Sequence, residues 1–464
     1  MRAFSQSVLI VACCVAAAAG AEPAAMGDRL ELFVDGFLIE ATSGDVTQVL
    51  HKPEPKEVVL VTDSPWEGNT SAYYTIFRDG DRYRMYYRGS HYDEQARKSA
   101  HPEVTCYAES QDGIHWTKPR LGLCEFDGSK ENNIVWDGIG THCFVAFKDG
   151  NPDCPAESRY KGIASGEPGG KRGLYVFQSP DGIHWKLAHG EPVITVGAFD
   201  SQNLAFWDPH TRQYREYHRT FVEGKRAIMT GISRDFIAWT APVLLTYPGS
   251  PAEHLYTNAV QPYERAPHIL IGFPTRFHPD QGQRVEPTFM ASRDGVTFHR
   301  WLEPVIPETA PQDRGGNRSN YMAWGLVELP GRPNHLSVYA TEAYYTGPDS
   351  RLRRFEYRKD GFVSVRGGLR GGELATRLVT LSEACQRLVV NFATEEDGYV
   401  RVQLETADGA GLPGYQFADC TALKGDSIAA PVVWKQGSDL HALAGRTIRL
   451  RFQLQNADLY AIRL

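Results

Sequence analysis

The sequence predicts an all-β protein, a five-bladed β-propeller followed by a jelly-roll-like C-terminal β-sandwich. Three observations carry this expectation. A motif of the form Ser-x-Asp-Gly-x-x-Trp recurs at Ser110–Trp116, Ser179–Trp185, Ser233–Trp239 and Ser292–Phe298, with a faded copy at Arg358–Phe362. Its aspartates, 112, 181, 235, 294 and 360, stand 69, 54, 59 and 66 residues apart. That interval suits one four-stranded blade and its loops, and is too long for a helical hairpin. Between the motifs lie short aromatic and β-branched runs bounded by Gly, Asp and Pro, such as Tyr83–Tyr87 and His268–Phe273, with no long amphipathic helix.

Taken in order, residues 1–21 read as a secretory signal. Arg2 gives a positive start, Val8–Ala19 is an apolar run of 12 residues, and Ala19-Gly20-Ala21 fits a cleavage site near Ala21. The mature chain is expected to be secreted or periplasmic. Residues 22–366 carry the repeats and read as the propeller and catalytic domain. Gly367–Gly372 reads as a linker, and residues 373–464 as the sandwich, in which Trp434 and Tyr415 are expected in the core. The segment Leu30–Glu40 either completes the last blade or packs beside the sandwich.

Composition narrows the functions. The 464 residues are 42% hydrophobic and 11% aromatic with a net charge of -7, which is globular and mildly acidic. No basic run offers a nucleic-acid footprint, and after the signal no apolar stretch reaches membrane-spanning length, so neither nucleic acid nor a membrane span is expected; the chain is expected to be a monomer. The six cysteines that follow the signal permit disulfides (simplest as Cys106–Cys124, Cys143–Cys154 and Cys385–Cys420) or free buried thiols. No Cys-x-x-Cys or His-rich spacing supports a metal or another cofactor, although a propeller channel leaves room for a structural calcium ion.

In a propeller the first strand of each blade lines the channel, so the polar residues at one end of those strands should converge. Here they are Glu67 and Asn69; Asn132 and Asn133; Asp200, Gln202 and Asn203; Glu253, His254, Tyr256 and Asn258; and Asn317, Arg318 and Asn320. The second strands return to that end with Arg88, Asp149, Arg219, Arg276 and Glu342, and a third strand starts there with Glu286. Carboxylates, amides and aromatics suit sugar hydroxyls, and glycoside cleavage needs two facing carboxyls, one neutral and one ionised. Asp200, Glu253, Glu67, Glu286 and Glu342 are therefore the catalytic candidates. Asn69, Arg88, Gln202, Asn203, Arg219, His254, Tyr256, Arg276 and Arg318 are the substrate-binding candidates, the arginines suited to a carboxylate or sulfate. Trp207-Asp208-Pro209 reads as a hairpin turn.

The repeats, with Leu32-Phe33-Val34-Asp35, Pro65-Trp66-Glu67-Gly68, Phe199–Asn203 and Ser292–Gly295, resemble the five-bladed propeller glycoside hydrolases of families 32 and 43, and in particular a group of secreted bacterial proteins related to family 32. The resemblance spans residues 30–366. It implies a glycosidase acting on a plant or algal polysaccharide, with Asp200 matching the family's middle aspartate by blade position and the acid left among Glu253, Glu286 and Glu342. The invertase-type Asn-Asp-Pro, Arg-Asp-Pro and Glu-Cys signatures are not intact, and Asp35 stands only roughly where the first aspartate would. The alternatives are a non-catalytic glycan-binding propeller and, ranked lower, a sialidase-like enzyme.

Overall fold

A computed structural model describes residues 22–306, 309–312 and 319–464. The expected signal segment and Arg318 lie outside these residues. Five antiparallel sheets follow one another along the chain, each built on four strands. The first sheet holds Ala72–Asp79, Arg82–Gly89, Val104–Ser110 and Trp116–Thr117, with Ile134–Trp136 added as a fifth strand on Val104–Ser110, and the second Val145–Lys148, Tyr160–Gly166, Gly173–Ser179 and Lys186–Leu187. The third holds Leu204–Asp208, Gln213–Val222, Lys225–Ser233 and Val243–Leu244. In the fourth, Gln261–Tyr263, Ala266–Gly272, Phe289–Ser292 and Phe298–Trp301 are extended by a smaller sheet of His254–Thr257, Thr275–His278 and Arg284–Pro287. The fifth takes Tyr321–Met322, His335–Glu342 and Arg351–Arg358 and borrows its outer strand, Glu54–Val61, from near the start of the chain.

The recurrent motif explains the turns. Asp112 Oδ1 accepts the backbone N–H groups of Ile114 and His115, both at 2.8 Å, while Ser110 Oγ accepts that of Gly113 at 2.9 Å. The same bonds recur at Asp181, Asp235 and Asp294. Gly113, Gly182 and Gly295 supply the positive φ the turn requires, and Phe236 takes φ 69° in the third copy, where a side chain is strained. The motif is also a docking point between sheets. Tyr86 Oη donates to the Gly182 carbonyl at 2.7 Å, Tyr217 Oη to that of Gly295 at 2.9 Å, and Tyr339 Oη to that of Gly113 at 2.7 Å. Tyr263 Oη donates to Asp360, and Phe147 packs on Phe236 with ring centroids 5.6 Å apart. These contacts join sheet one to two, two to three, three to four, four to five, and five back to one.

The centre of this arrangement is filled. The Tyr74 carbonyl accepts Trp324 N–H at 2.9 Å and Gln202 Nε2 at 3.2 Å, tying the first, third and fifth sheets together. Gly325 lies so close that a Cβ there would stand 2.1 Å from the Ile76 carbonyl oxygen.

After the fifth sheet the pairing departs from the expected sandwich. Val363–Thr376, Val389–Glu405 and Thr447–Arg463 are long strands of a single eight-stranded sheet that also takes Leu30–Leu32 and Ile39–Leu50 from near the start of the chain. The register breaks between Gly367 and Gly372 and between Thr394 and Tyr399, where the strands bend around a core that includes Trp434, Tyr415, Phe452 and Leu454. The expected linker is thus strand: a Cβ on Gly367 would meet Leu454 Cβ at 2.5 Å, so these glycines permit close backbone approach. All six described cysteines are free thiols.

The turns also set a pH dependence. Partial burial alone would raise the carboxyls of Asp112, Asp181, Asp235 and Asp294, but the turn amides and serine hydroxyls, with His115 and His184 in two copies, outweigh it and hold all four below the usual carboxylate range. Groups whose pKa is depressed on folding contribute stability that is present above the unfolded value, about 3.9, and is lost as pH falls through the folded one. Melting temperature should therefore hold steady from pH 7 to about 5 and fall progressively below about 4. A melting temperature unchanged down to pH 2 would contradict this role for the turns.

Candidate functional site

An open pocket of 470 Å³ lies where the first strands of the fourth and fifth sheets begin, lined by Arg226, Tyr256, Phe277, Val285, Tyr321 and Tyr344 among others. Tyr256 packs against Phe277 and Tyr321 at centroid separations of 5.9 and 5.6 Å, and Tyr321 against Tyr344 at 5.3 Å. Burial pushes the Tyr321 and Tyr344 phenols up, so these walls stay neutral. Arg88 reaches the cluster from the first sheet: its Nη2 donates to Tyr344 Oη at 2.9 Å, and its guanidinium lies 4.9 Å from the centre of the Tyr73 ring. Tyr73 holds φ 58°, a strained backbone beside the pocket wall.

The predicted residues divide into three groups. The first belongs to the scaffold. Glu67 is buried, accepts Tyr87 Oη at 2.5 Å and pairs with Lys118 at 2.6 Å. Glu342 is buried and pairs with Arg351 and Arg353, both at 2.8 Å. Asn69 exchanges both of its amide groups with the Tyr92 backbone, and Asn203 Nδ2 donates to the Phe199 and Ser201 carbonyls. Gln202, expected at the substrate, instead bridges the filled centre. Asp208 closes a hairpin turn by accepting His210 N–H at 3.0 Å.

A second group lies on the far side of the pocket wall. Phe277 pairs across the ladder with Val285, and both line the pocket; Arg276 and Glu286, one position away on each strand, pair with each other. Alternation along the strands therefore turns that pair to the other face. There Arg276 bridges Glu286 at 2.6 Å and Glu253 at 3.1 Å, and Arg300 holds Glu253 as well. Burial opposes the Glu286 charge, but His278 and Arg276 prevail and hold it below the usual carboxylate range. Asp35 is likewise remote, paired with Arg293 at 2.9 Å.

The third group gathers around Tyr256 and Arg226 of the pocket lining. The Arg219 and Arg226 guanidinium carbons lie 5.0 and 5.1 Å from the centre of the Tyr256 ring. Asp200 pairs with Arg219, and its side chain is 64% exposed. His254 faces Arg226, and burial together with that neighbouring charge lowers its pKa. Arg226, Tyr321 and Tyr344 of the pocket lining escaped the sequence expectations, as did Glu103 and His142. Glu103, 28% exposed, pairs with Arg88 at 3.3 Å and with His142 at 3.0 Å. It stands immediately before Val104–Ser110, the third strand of its sheet, so the rule that selected Glu286 selects it equally. Burial opposes its charge, while His142 and Arg88 hold its pKa below the usual range. Among the described residues no group of His, Cys, Asp and Glu has metal-binding geometry.

No family model and no curated protein matches the chain. Among solved structures, an arabinoxylan arabinofuranohydrolase of glycoside hydrolase family 43 from Bacillus subtilis aligns at 13% identity and a TM-score of 0.43, covering 89% of this chain and 99% of that one. An endo-arabinase from Bacteroides thetaiotaomicron aligns at 11% identity and a TM-score of 0.42, over 66% and 99% of the two chains. An N-acetylgalactosamine deacetylase from F. plautii aligns at 13% and 0.46, over 69% and 97%. Similarity at this level transfers no chemistry, and the functional reading has to rest on the residues.

Proposed function

We propose that this protein is a secreted glycoside hydrolase, its five sheets the blades of a β-propeller and its glycan held in the tyrosine-lined pocket. The observation that carries the reading is the composition of that pocket's surroundings. Neutral phenol walls offer stacking faces and hydroxyls to a sugar. Two partly exposed carboxylates, Asp200 and Glu103, are each held by an arginine that also touches a pocket tyrosine. In this reading Asp200 is the ionised partner. His142, hydrogen-bonded at 3.0 Å to the ionised Glu103, carries the proton for the leaving group. Glu67 and Glu342 then hold the scaffold, and Glu253 and Glu286 brace the pocket wall from behind.

Sugars released from a panel of plant and algal polysaccharides test the proposal. Asp200→Asn and Glu103→Gln should each slow release by about 100-fold or more, the usual scale for losing an acid or base, with the circular-dichroism spectrum of the folded protein kept. Full activity in either variant removes that residue from the mechanism. A second reading, a glycan-binding protein without catalysis, is favoured by one observation: Asp200 and Glu103 are both ion-paired. It predicts that the wild-type protein retains oligosaccharides and releases none.

A further inference from the structure

The cations at the pocket outnumber the anions that face them. Arg226 has no carboxylate within salt-bridge distance among the described residues; its polar contacts are to His254 Nδ1, from the backbone N–H at 3.3 Å and Nη1 at 3.4 Å. It lies instead against three aromatic faces, those of Phe277, Tyr256 and Phe221, at 4.4, 5.1 and 5.6 Å. Arg219, almost wholly buried, shares the Tyr256 and Phe221 faces, and the two positive charges oppose each other across them. Among the described residues the one carboxylate paired with these two arginines is Asp200, which sits largely in solvent and engages a single nitrogen of Arg219.

Donors are left over at the same place. Nε and Nη1 of Arg219 and Nε of Arg226 are buried and meet no hydrogen-bond acceptor among the described residues. Arg88, on the opposite side of the tyrosines, has a third such Nε. An unpaired buried donor costs about 1–3 kcal/mol, and more when charged. Elsewhere Arg276 is answered by Glu253 and Glu286, Arg353 by Glu342, and Arg354 by Glu57 and Glu356. A single unpartnered Nε also occurs at Arg215, Arg284, Arg300 and Arg401, so what marks the pocket is two guanidinium groups that share aromatic faces and have one exposed carboxylate paired with them. Flat guanidinium groups with free N–H edges, fixed on aromatic faces, match the paired oxygens of a carboxylate or a sulfate ester.

We infer that the pocket takes an anionic sugar, its carboxylate or sulfate ester held by Arg226 and Arg219 beside Tyr256. The inference builds on the glycan reading of the pocket, but the anion can be tested separately. Binding is measured by calorimetry for trigalacturonate, a sulfated galactan trisaccharide and neutral galactotriose, and melting temperature is followed with sodium sulfate alone. Wild type should bind at least one acidic trisaccharide about ten-fold more tightly than the neutral one, the scale of a charge-assisted hydrogen-bond pair. The acidic sugar that wins identifies the source of the charge. In Arg226→Gln the ratio of acidic to neutral affinity should shrink to about two-fold or less, whatever the change in neutral-sugar affinity, and added salt should erode the preference in wild type. Arg226→Lys, which keeps the charge but not the fork, should fall between the two. Equal binding of acidic and neutral sugars by wild type, or a preference that survives Arg226→Gln, overturns the inference while the glycan reading stands. Sulfate that raises the melting temperature of wild type but not of Arg226→Gln, with no trisaccharide bound, upholds the anion site and overturns the glycan reading. Binding of neither sulfate nor any trisaccharide overturns both.

Discussion

Replacing Asp360 by alanine should lower the free energy of unfolding by about 3–5 kcal/mol, the usual cost of removing one partner from a buried charge pair. The same change at Asp112 or Asp235 should cost about 1 kcal/mol, the scale of a partly exposed turn hydrogen bond. All three aspartates come from copies of one motif, and the difference lies in where each carboxylate points. Asp112 and Asp235 turn back on their own backbone at the surface. Asp360 is fully buried; it accepts Tyr263 Oη and Arg265 Nε, the latter at 2.9 Å, from the fourth sheet, and Asn391 Nδ2 at 3.0 Å from the C-terminal sheet. Losing it leaves a phenol, an amide and a guanidinium unanswered at the junction of three sheets. The fifth copy has faded because its aspartate changed partners. Urea unfolding of the three variants decides the matter, and an Asp360→Ala no weaker than Asp235→Ala would show that the junction is not held there.

Legibility in the sequence followed what depends on local pattern. A turn that needs Ser, Asp and Gly at fixed offsets announces itself, so the five sheets and their order could be read from the motif. The end of the sheets at which polar groups gather could also be read, because strand direction alternates in a meander. The face to which each side chain points could not. On strands buried on both sides, hydrophobicity does not mark the parity, and a shift of one residue exchanges Val285 for Glu286 at the pocket. Burial also separated look-alikes: Glu67 and Glu342 satisfy the same positional rule as Glu103, but enclosed cations hold them in the scaffold. Gly367–Gly372 misled for a related reason, since a run of glycines looks the same whether it frees a linker or lets strands approach closely.

The largest effect is expected from removing residues 373–464: the remaining chain should fail to accumulate as a soluble, cooperatively melting protein. The sequence presents this segment as a domain of its own with a structural role, packed against the propeller; the pairing goes further and interleaves it with the rest. The cut falls inside strand Val363–Thr376 and removes Thr447–Arg463, the partner of Leu30–Leu32. That N-terminal stretch faces both ways. Leu30, Leu32 and Val34 pack into the core shared by the sheets of the ring, whereas Phe33 packs into the C-terminal core. Glu31, fully buried between Arg293 and His268 of the fourth sheet, anchors it to the ring. Only three residues separate Ile39–Leu50 from Glu54–Val61, with which the chain returns to the ring as the outer strand of the fifth sheet. Stripping the C-terminal sheet would expose one face of Leu30–Leu50 and loosen the strand that completes the fifth sheet. A point variant isolates the coupling from the gross deletion. Leu32→Ala, at a buried position on this stretch, should cost about 2–5 kcal/mol, and it should lower the melting of the whole protein in one transition. Two separate transitions, with only one of them shifted, would show that the ring and the C-terminal sheet fold independently.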